Sequence, residues 1–316
     1  MSTFCKEPVN PQASKEAKEL LAYLCEHAGK KLITGQHTQT KPMEERAYIK
    51  EVTGKYPKLV EFEMLSYSPN INYEDAGKEC LTEVYENEGT MDTALSLAKE
   101  GEIIPMLCFH WFSPIGGQDK AFYTEHTDFD PEQVLVEGSD EREAFFSDLS
   151  VIAEQLSRFK EEHIAVLWRP FHEVEGTWFW WGSKGGEVAK QLYYLMFDYF
   201  TKEKQLDNLL WVWSAPTKES YPGDDFCDVV GWDIYLPEKE VTDYQKQYEE
   251  LTANTSPNKV KALTEVGYNP SISAIEKSHT PWAFYMTWSK EFALDGVYNT
   301  KEELKAMYDS DYTITL

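Results

Sequence analysis

Eight short apolar runs recur along the chain, and helical patterns lie between them. The runs, which are rich in β-branched and aromatic residues and predict strands, cover residues 31–35, 59–65, 103–110, 164–173, 209–214, 229–235, 260–267 and 282–288. The helical patterns cover residues 14–28, 43–53, 90–100, 141–160, 188–204 and 243–252, with a weaker one at 273–277. Apolar strands that alternate with helices are typical of a parallel sheet covered on both faces. Eight of them predict an α/β fold, a single (β/α)8 TIM barrel that forms one catalytic domain over residues 1–316.

The competing architecture is an open, doubly wound sheet. Such a sheet usually has a glycine-rich phosphate turn after its first strand. Here the first predicted strand ends in the single Gly35, and Gly116 and Gly117 lie in a loop with no helix-opening pattern. No linker, composition break or internal repeat divides the chain. The sequence therefore favours the barrel and disfavours nucleotide binding.

Charge narrows the class of partner. The chain has 55 acidic and 30 basic residues, and its formal net charge is −25. Nucleic-acid phosphates and anionic membrane surfaces would be repelled on average, so neither is a predicted partner. No segment is long and apolar enough to span a membrane, and no signal-peptide pattern opens the chain.

Metal, disulfide and cofactor signals are weak. The five cysteines are Cys5, Cys25, Cys80, Cys108 and Cys227, an odd number with no closely spaced pair. This spacing predicts neither a zinc site nor a full disulfide framework, although one pair such as Cys80 with Cys108 remains open. The sequence has no H-E-x-x-H motif and no G-x-S-x-G elbow. We therefore expect no metal, no cofactor and no serine hydrolase of the usual α/β type.

The densest chemical signal follows the fourth predicted strand. Residues 168–182 combine an arginine, a histidine, two glutamates and a run of four large aromatic residues. A carboxyl group at the mouth of a hydrophobic strand can be held protonated, and flat indole faces suit the C–H faces of sugar rings. The segment predicts the rim of a carbohydrate site, which requires a second carboxylate elsewhere in the chain.

Glu173 and Glu265 are the predicted catalytic pair. They end the fourth and seventh predicted strands, which face each other across the mouth of an eight-stranded barrel. Two carboxyl groups about 5 Å apart would suit a retaining glycosidase, whereas a separation of about 8 Å would leave room for an inverting water. Each glutamate alone could be a solvated rim residue or an ion-pair partner. Glu175 lies past the strand and is predicted to be a loop residue.

Other strand ends provide candidate sugar contacts. Tyr235 could donate to Glu265 and hold it ionised. Asp233 is expected to bind barrel backbone or a basic side chain rather than to attack substrate. His110 could equally be a core histidine, and His37 has weaker support as a sugar contact. The predicted substrate-binding residues are His110, Trp111, Arg169, His172, Trp178, Asp233, Tyr235 and Trp288.

With these residues in place, the chain resembles glycoside hydrolase family 26, the β-mannanase family, over most of its length. The most specific motif is Arg169-Pro170-Phe171-His172-Glu173, followed by Gly176 and Trp178-Phe179-Trp180-Trp181-Gly182. Supporting motifs are Gly35-Gln36-His37, His110-Trp111, Tyr221-Pro222-Gly223-Asp224-Asp225, Gly231-Trp232-Asp233-Ile234-Tyr235 and Thr264-Glu265-Val266-Gly267.

The resemblance implies a retaining (β/α)8 enzyme in which Glu173 is the acid/base and Glu265 the nucleophile. By the same match, sugar sites would be lined by His110, His172, Trp178, Tyr235 and Trp288. Glu175 stands where mannanases often carry a small amide.

The resemblance further implies endo-acting hydrolysis of β-1,4-mannan, glucomannan or galactomannan. Mixed-linkage β-glucan and β-1,3-xylan are alternative substrates within the family. A non-catalytic glycan-binding barrel is an alternative of another class, disfavoured because both glutamates are present. Since a polysaccharide cannot cross a bilayer, we expect an extracellular enzyme, and we expect a monomer. Imported oligosaccharide substrates and unpaired cysteines leave a cytoplasmic location open.

Overall fold

A closed ring of parallel strands forms the centre of the molecule. The computed structural model describes residues 4–116 and 122–316. Strands β2 to β9 pair in sequence order, and β9 pairs with both β8 and β2, so eight parallel strands close a barrel. The predicted (β/α)8 barrel is confirmed. The strands are β1 (Leu32–Ile33), β2 (Gly35–His37), β3 (Leu59–Glu63), β4 (Ile104–Cys108), β5 (Val166–Arg169), β6 (Leu209–Ser214), β7 (Val229–Ile234), β8 (Val260–Val266), β9 (Trp282–Thr287) and β10 (Thr313–Ile314).

Helices cover the strands, and all seven predicted helices are present. Six lie within a few residues of their expected bounds, and the one predicted at 188–204 is α-helical to Asp198 and continues as a π-helix over Tyr199–Glu203. Three short helices, α3, α9 and α10, were not predicted; α3 buries only Cys80 and Val84, which is too little to produce a clear periodic pattern. The helices are α1 (Lys15–His27), α2 (Glu44–Thr53), α3 (Lys78–Glu86), α4 (Thr90–Lys99), α5 (Asp140–Glu161), α6 (Gly186–Asp198), α7 (Gln245–Asn254), α8 (Ile272–Ser278), α9 (Glu291–Leu294) and α10 (Lys301–Asp309).

The first predicted strand is divided into β1 and β2. β1 pairs with β9 and with β10 from the end of the chain, whereas β2 continues into the barrel. Gly35 begins β2, and a Cβ atom there would collide with the carbonyl oxygen of Tyr285 on β9. A glycine is therefore needed for the two strands to approach each other.

The fourth predicted strand is shorter than expected. It corresponds to β5 and ends at Arg169, because Pro170 cannot donate to the sheet. Phe171 and Glu173 then adopt left-handed backbone conformations, with φ of 45° and 53°. Non-glycine residues seldom adopt this conformation, and it is found preferentially at functional sites. Glu173 therefore lies in a constrained loop rather than on the strand.

An apolar cluster fills the lower half of the barrel. The inward-facing Ile33, Leu167, Leu210 and Phe284 pack in one cluster with Leu24 of α1, and all five are completely buried. Burial of such side chains is the main favourable contribution to folding. Because these side chains leave no accessible surface, this part of the barrel is a packed core.

All five cysteines are free thiols. Cys80 and Cys108 are both buried, but the disulfide left open by the sequence is not formed; the Cys108 thiol instead contacts Glu63 Oε2 at 3.1 Å. None of the helices in the two described ranges has the length and apolarity that a bilayer crossing requires.

Candidate active site

A cleft opens at the carboxyl ends of the strands and contains a cavity of about 240 Å³. Glu173 and Glu265 both line it. Four of the predicted substrate-binding residues line it as well: His110, His172, Tyr235 and Trp288. Its lining residues are His37, Gln39, Glu63, Leu65, Glu83, Asn87, His110, Phe122, Tyr123, His172, Glu173, Phe179, Tyr235, Glu265, Trp288, Ser289 and Lys290.

Glu265 lies near the end of β8 and is 4% exposed. Its Oε2 accepts a hydrogen bond of 2.8 Å from Arg169 Nη2, and its Oε1 accepts one from the Tyr235 hydroxyl. Both carboxylate oxygens are therefore acceptors. A group held in this way is suited to act as an anion and not as a proton donor.

Glu173 has a different environment. Its backbone N–H donates to the carbonyl oxygen of Ser214 at 3.2 Å, which fixes the loop against β6. Its Oε2 accepts one hydrogen bond of 2.9 Å, from Trp178 Nε1. Burial and the nearby negative charges of Glu265 and Asp233 raise the pKa of Glu173 to about 8. At neutral pH this carboxyl group holds a proton that it can donate.

Arg169 is the centre of a buried ionic network. Its guanidinium contacts Glu61 through Nε (2.8 Å) and Nη2 (3.3 Å), Asp233 through Nη1 (3.0 Å) and Glu265 through Nη2 (2.8 Å). Asp233 also accepts a hydrogen bond of 2.7 Å from Ser214. Burial raises the pKa of Glu61 to about 7 and that of Asp233 to about 6, although Arg169 opposes both shifts.

Two residues predicted to bind substrate lie within this network. Arg169 and Asp233 were expected to bind substrate, but their side chains are 0% and 1% exposed and neither lines the cavity. They lie behind Glu265 and hold its carboxylate in place. The expectation that Asp233 binds a basic side chain agrees with its contact with Arg169.

A second network joins β3 to two histidines. Glu63 Oε2 contacts His110 Nδ1 at 2.6 Å, and His110 Nε2 lies 3.1 Å from His172 Nε2. Burial alone would favour neutral groups, but this pairing lowers the pKa of Glu63 to about 2 and raises that of His110. Burial and the neighbouring cations hold the pKa of His172 well below its usual value. The His110 ring therefore takes up a proton more readily than the His172 ring.

Trp111 was predicted to contact sugar, but in the structure it does not border the cavity. It is 1% exposed, and its Nε1 donates to Asp148 of α5 at 2.8 Å. Its carbonyl oxygen accepts from Trp180 Nε1 at 2.6 Å. Trp111 thus supports the cleft from beneath.

The aromatic run after β5 divides by exposure. Trp178 is 48% exposed, whereas Trp180 and Trp181 are buried and pack in the core behind it. Phe179 lines the cavity, and Trp288 lines it from the end of β9. Of the three indoles in the run, Trp178 is the exposed one, but it is not among the residues that line the cavity. Glu175 is exposed in the same loop, as expected.

Several site residues were not predicted. Glu61 and Glu63 could have been found, because they alternate in the strand Leu59-Val60-Glu61-Phe62-Glu63, and residues two apart point to the same side of a strand. Gln39, Asn87 and Lys290 have no comparable signal. They come from loops whose position relative to the barrel depends on the fold.

Three possible metal ligands meet in one place in the described part of the chain. Ligand atoms of His37, Glu63 and Cys108 all lie within 4.8 Å of one another. However, Glu63 already accepts from His110, from Cys108 and from two backbone N–H groups. Burial also holds the pKa of Cys108 well above its usual value, so the thiol keeps its proton. These contacts describe a hydrogen-bonded support better than a set of metal ligands.

Comparison with known proteins matches this architecture. The chain is 34% identical to a "Mannan endo-1,4-beta-mannosidase" of Thermothelomyces thermophilus over 97% of its own length and 62% of that protein's length. It spans about half the length of two Piromyces relatives, 48% and 51%.

Two solved structures superpose closely. The Podospora anserina GH26-CBM35 β-(1,4)-mannanase gives a TM-score of 0.89 at 32% identity, covering 99% of this chain and 69% of that one. A β-mannanase from a symbiotic protist of the termite Reticulitermes speratus, complexed with gluco-manno-oligosaccharide, gives 0.87 at 32% identity, covering 99% and 97%. The profile of "Glycosyl hydrolase family 26" matches residues 9–316, and the chain therefore belongs to that family.

Proposed function

We propose that the chain is a retaining endo-β-1,4-mannanase acting on mannan, glucomannan or galactomannan. The observation that carries the proposal is the contrast between its two cleft glutamates. Glu265 accepts hydrogen bonds at both oxygens, whereas the pKa of Glu173 is raised to about 8. This is the division between nucleophile and acid that glycoside hydrolysis requires.

In the proposed reaction Glu265 attacks the anomeric carbon of the sugar, and the bond to the leaving sugar breaks. Glu173 donates its proton to the departing oxygen, which leaves a glycosyl ester on Glu265. Glu173, now ionised, takes a proton from water as that water attacks the same carbon. The second attack frees Glu265 and gives a product that retains its anomeric configuration.

The relatives support mannan as the polymer, since their names specify mannan endo-1,4-β-mannosidase activity. Mannose differs from glucose at C2, so mixed-linkage β-glucan is the nearest alternative, followed by β-1,3-xylan. A barrel that only binds glycan is disfavoured, because binding alone needs no proton on Glu173. We further propose that the protein meets its polymer outside the cell and acts as a monomer.

The substrate is tested by offering galactomannan, barley β-glucan and β-1,3-xylan in parallel. Products are separated by size at early times. Rapid formation of mid-length oligosaccharides from galactomannan alone supports both the substrate and the endo mode. Release of only mono- or disaccharides contradicts endo action, and binding without new reducing ends contradicts catalysis.

The roles of the glutamates are tested with azide, a small anion that can replace a missing carboxylate. On an activated aryl β-mannobioside, Glu173→Ala with azide should give the β-glycosyl azide, because azide attacks the covalent intermediate. Glu265→Ala should give the α-azide, because azide then attacks the substrate directly. The matched control is Glu175→Gln, which should hydrolyse the substrate without azide. The opposite stereochemistry would reverse the assignment.

A further inference from the structure

His37, at the end of β2, is the cleft residue whose hydrogen-bonding capacity is least used. Its ring is fully buried, lines the cavity and stacks on Trp288 with centroids 4.0 Å apart and planes at 25°. Neither Nδ1 nor Nε2 has a hydrogen-bond partner among the described residues. Two other side chains that line the cavity, Glu63 and His110, are hydrogen-bonded to each other.

The His37 ring stays neutral, so protonation does not change its two unpaired nitrogens. Burial lowers the pKa of His37 to about 3, and Arg169 and His110 add to the effect while Glu63 opposes it. A neutral imidazole has one N–H donor and one bare nitrogen acceptor. Burial without partners for both is unfavourable, so the native fold retains a cost that a bound group could remove.

The position of His37 links it to the reacting centre. Around the barrel the order of strands is β8, β9, β2 and β3, which carry Glu265, Trp288, His37 and Glu63 respectively. The stacked pair of His37 and Trp288 therefore lies beside the nucleophile, in the wall of the same cavity. A sugar ring attacked by Glu265 must occupy this cavity.

We propose that His37 binds one hydroxyl group of the sugar ring in the cavity, and that it is a specificity-determining residue of this site. A sugar hydroxyl can donate to a bare ring nitrogen or accept from a ring N–H, so it can pair with one nitrogen of a neutral imidazole in either tautomer. Trp288 fixes the plane of the imidazole, so the hydroxyl must approach along that plane. The inference rests on the proposed function, since it takes a β-mannoside as the ligand.

The test is a double-mutant cycle between the protein and the substrate. Wild type and His37→Phe are compared on an aryl β-mannobioside and on its monodeoxy derivatives, with each free hydroxyl of either ring removed in turn. Phenylalanine keeps an aromatic ring to stack on Trp288 but lacks both nitrogens. Intrinsic effects of deoxygenation on reactivity cancel in the cycle.

We expect kcat/KM of His37→Phe on the parent compound to fall roughly tenfold to a hundredfold. For one deoxy derivative the two enzymes should then differ by less than about threefold, because the partner of His37 is already missing. An equal deficit on every derivative would mean that His37 binds a water or acts through packing, and would overturn the proposal. Unchanged activity on the parent would overturn it as well.

Thermal melting separates recognition from folding. His37→Phe should melt no lower than the wild type, because it removes two unpaired buried polar atoms. If it melts much lower, His37→Asn replaces it in the cycle. Its amide keeps a donor and an acceptor on a shorter side chain, so it should make a weaker contact with the same hydroxyl. Its deficit relative to wild type should therefore still be smaller on one deoxy derivative than on the parent compound. An equal deficit of His37→Asn on the parent compound and on every deoxy derivative overturns the proposal.

Failure of the proposed function is distinguishable from failure of this inference. If the wild type binds mannohexaose without hydrolysing it, calorimetric titration of wild type and His37→Phe with mannohexaose takes the place of kinetics. Equal affinities would overturn the role of His37 even then, whereas a tenfold or larger loss of affinity would support it.

Discussion

Trp178→Phe should move the alkaline limb of the pH–activity profile upwards. Trp178 Nε1 donates to Glu173 Oε2 at 2.9 Å, and this is the hydrogen bond that opposes the raised pKa of Glu173. The donor stabilises the ionised carboxylate more than the protonated acid. Its removal therefore raises the pKa of Glu173 further, and the proton needed for catalysis persists to higher pH.

The size of the shift follows from the hydrogen bond. A hydrogen bond to a charged group contributes about 1.5–3 kcal/mol, but Trp178 is 48% exposed and water can replace part of the interaction. A net effect of about 1 kcal/mol corresponds to about 0.7 of a pH unit, since one unit is equivalent to about 1.4 kcal/mol. We therefore expect the limb to move from near pH 8 towards higher pH by somewhat less than one unit.

The assay is the pH dependence of kcat/KM on an aryl β-mannobioside, which reports the free enzyme. Phenylalanine retains a ring at the rim of the cleft, which limits any loss of stacking with sugar. Weaker stacking would lower kcat/KM at every pH and would not move the limb. Glu175→Gln, in the same loop, leaves the Trp178–Glu173 hydrogen bond intact and should leave the limb in place. A limb that stays fixed or moves to lower pH in Trp178→Phe would refute the reasoning.

Three further predictions concern the surroundings of the site. Arg169→Met leaves buried carboxylates without their cation and should lower the free energy of unfolding by about 3–5 kcal/mol at pH 7.5. The loss should shrink at pH 5 in urea titrations, because Glu61 and Asp233 have pKa values of about 7 and 6 and become protonated; an equal loss at both pH values would contradict this. The pKa of Glu63 is lowered from 4.5 to about 2, so its contribution is present above pH 4.5 and is lost as the pH falls towards 2. Glu63→Gln should remove about 2.5 kcal/mol of that acid-dependent loss, measured as the difference between urea unfolding at pH 6 and at pH 2.5. Gly35→Ala places a Cβ against the Tyr285 carbonyl oxygen and should cost about 1–3 kcal/mol, seen as a lower melting temperature; a variant as stable as the wild type would show that β2 and β9 can separate.

The barrel could be predicted from sequence because its signal is repeated eight times. Errors at single strand ends do not disturb a pattern of that length, so β5 was recognised even though the strand stops at Arg169 and not at Glu173. That Glu173 and Glu265 line one cavity could be predicted for a related reason. Opposite strands of a closed barrel end at the same mouth whatever the loops do.

Proximity to a strand end does not reveal the direction of a side chain. Trp111 lies three residues after the end of β4, yet its indole turns into the core because Asp148 on α5 accepts its N–H. Arg169 also ends a strand, but three carboxylates hold it beneath the floor of the cleft. The direction of each side chain depends on hydrogen-bond and ion-pair partners distant in sequence, which periodicity and spacing cannot identify.

The charge on Glu265 gives the proposed reaction an internal timing. That charge is one of the causes that raise the pKa of Glu173, second only to burial. When Glu265 becomes an ester to the sugar its charge disappears, and the pKa of Glu173 must fall at that moment. Glu173 thus has the higher pKa before the bond breaks, when it must donate a proton, and the lower pKa afterwards, when it must be ionised. Each half of the cycle sets the protonation state that the next half requires, without any movement of the barrel.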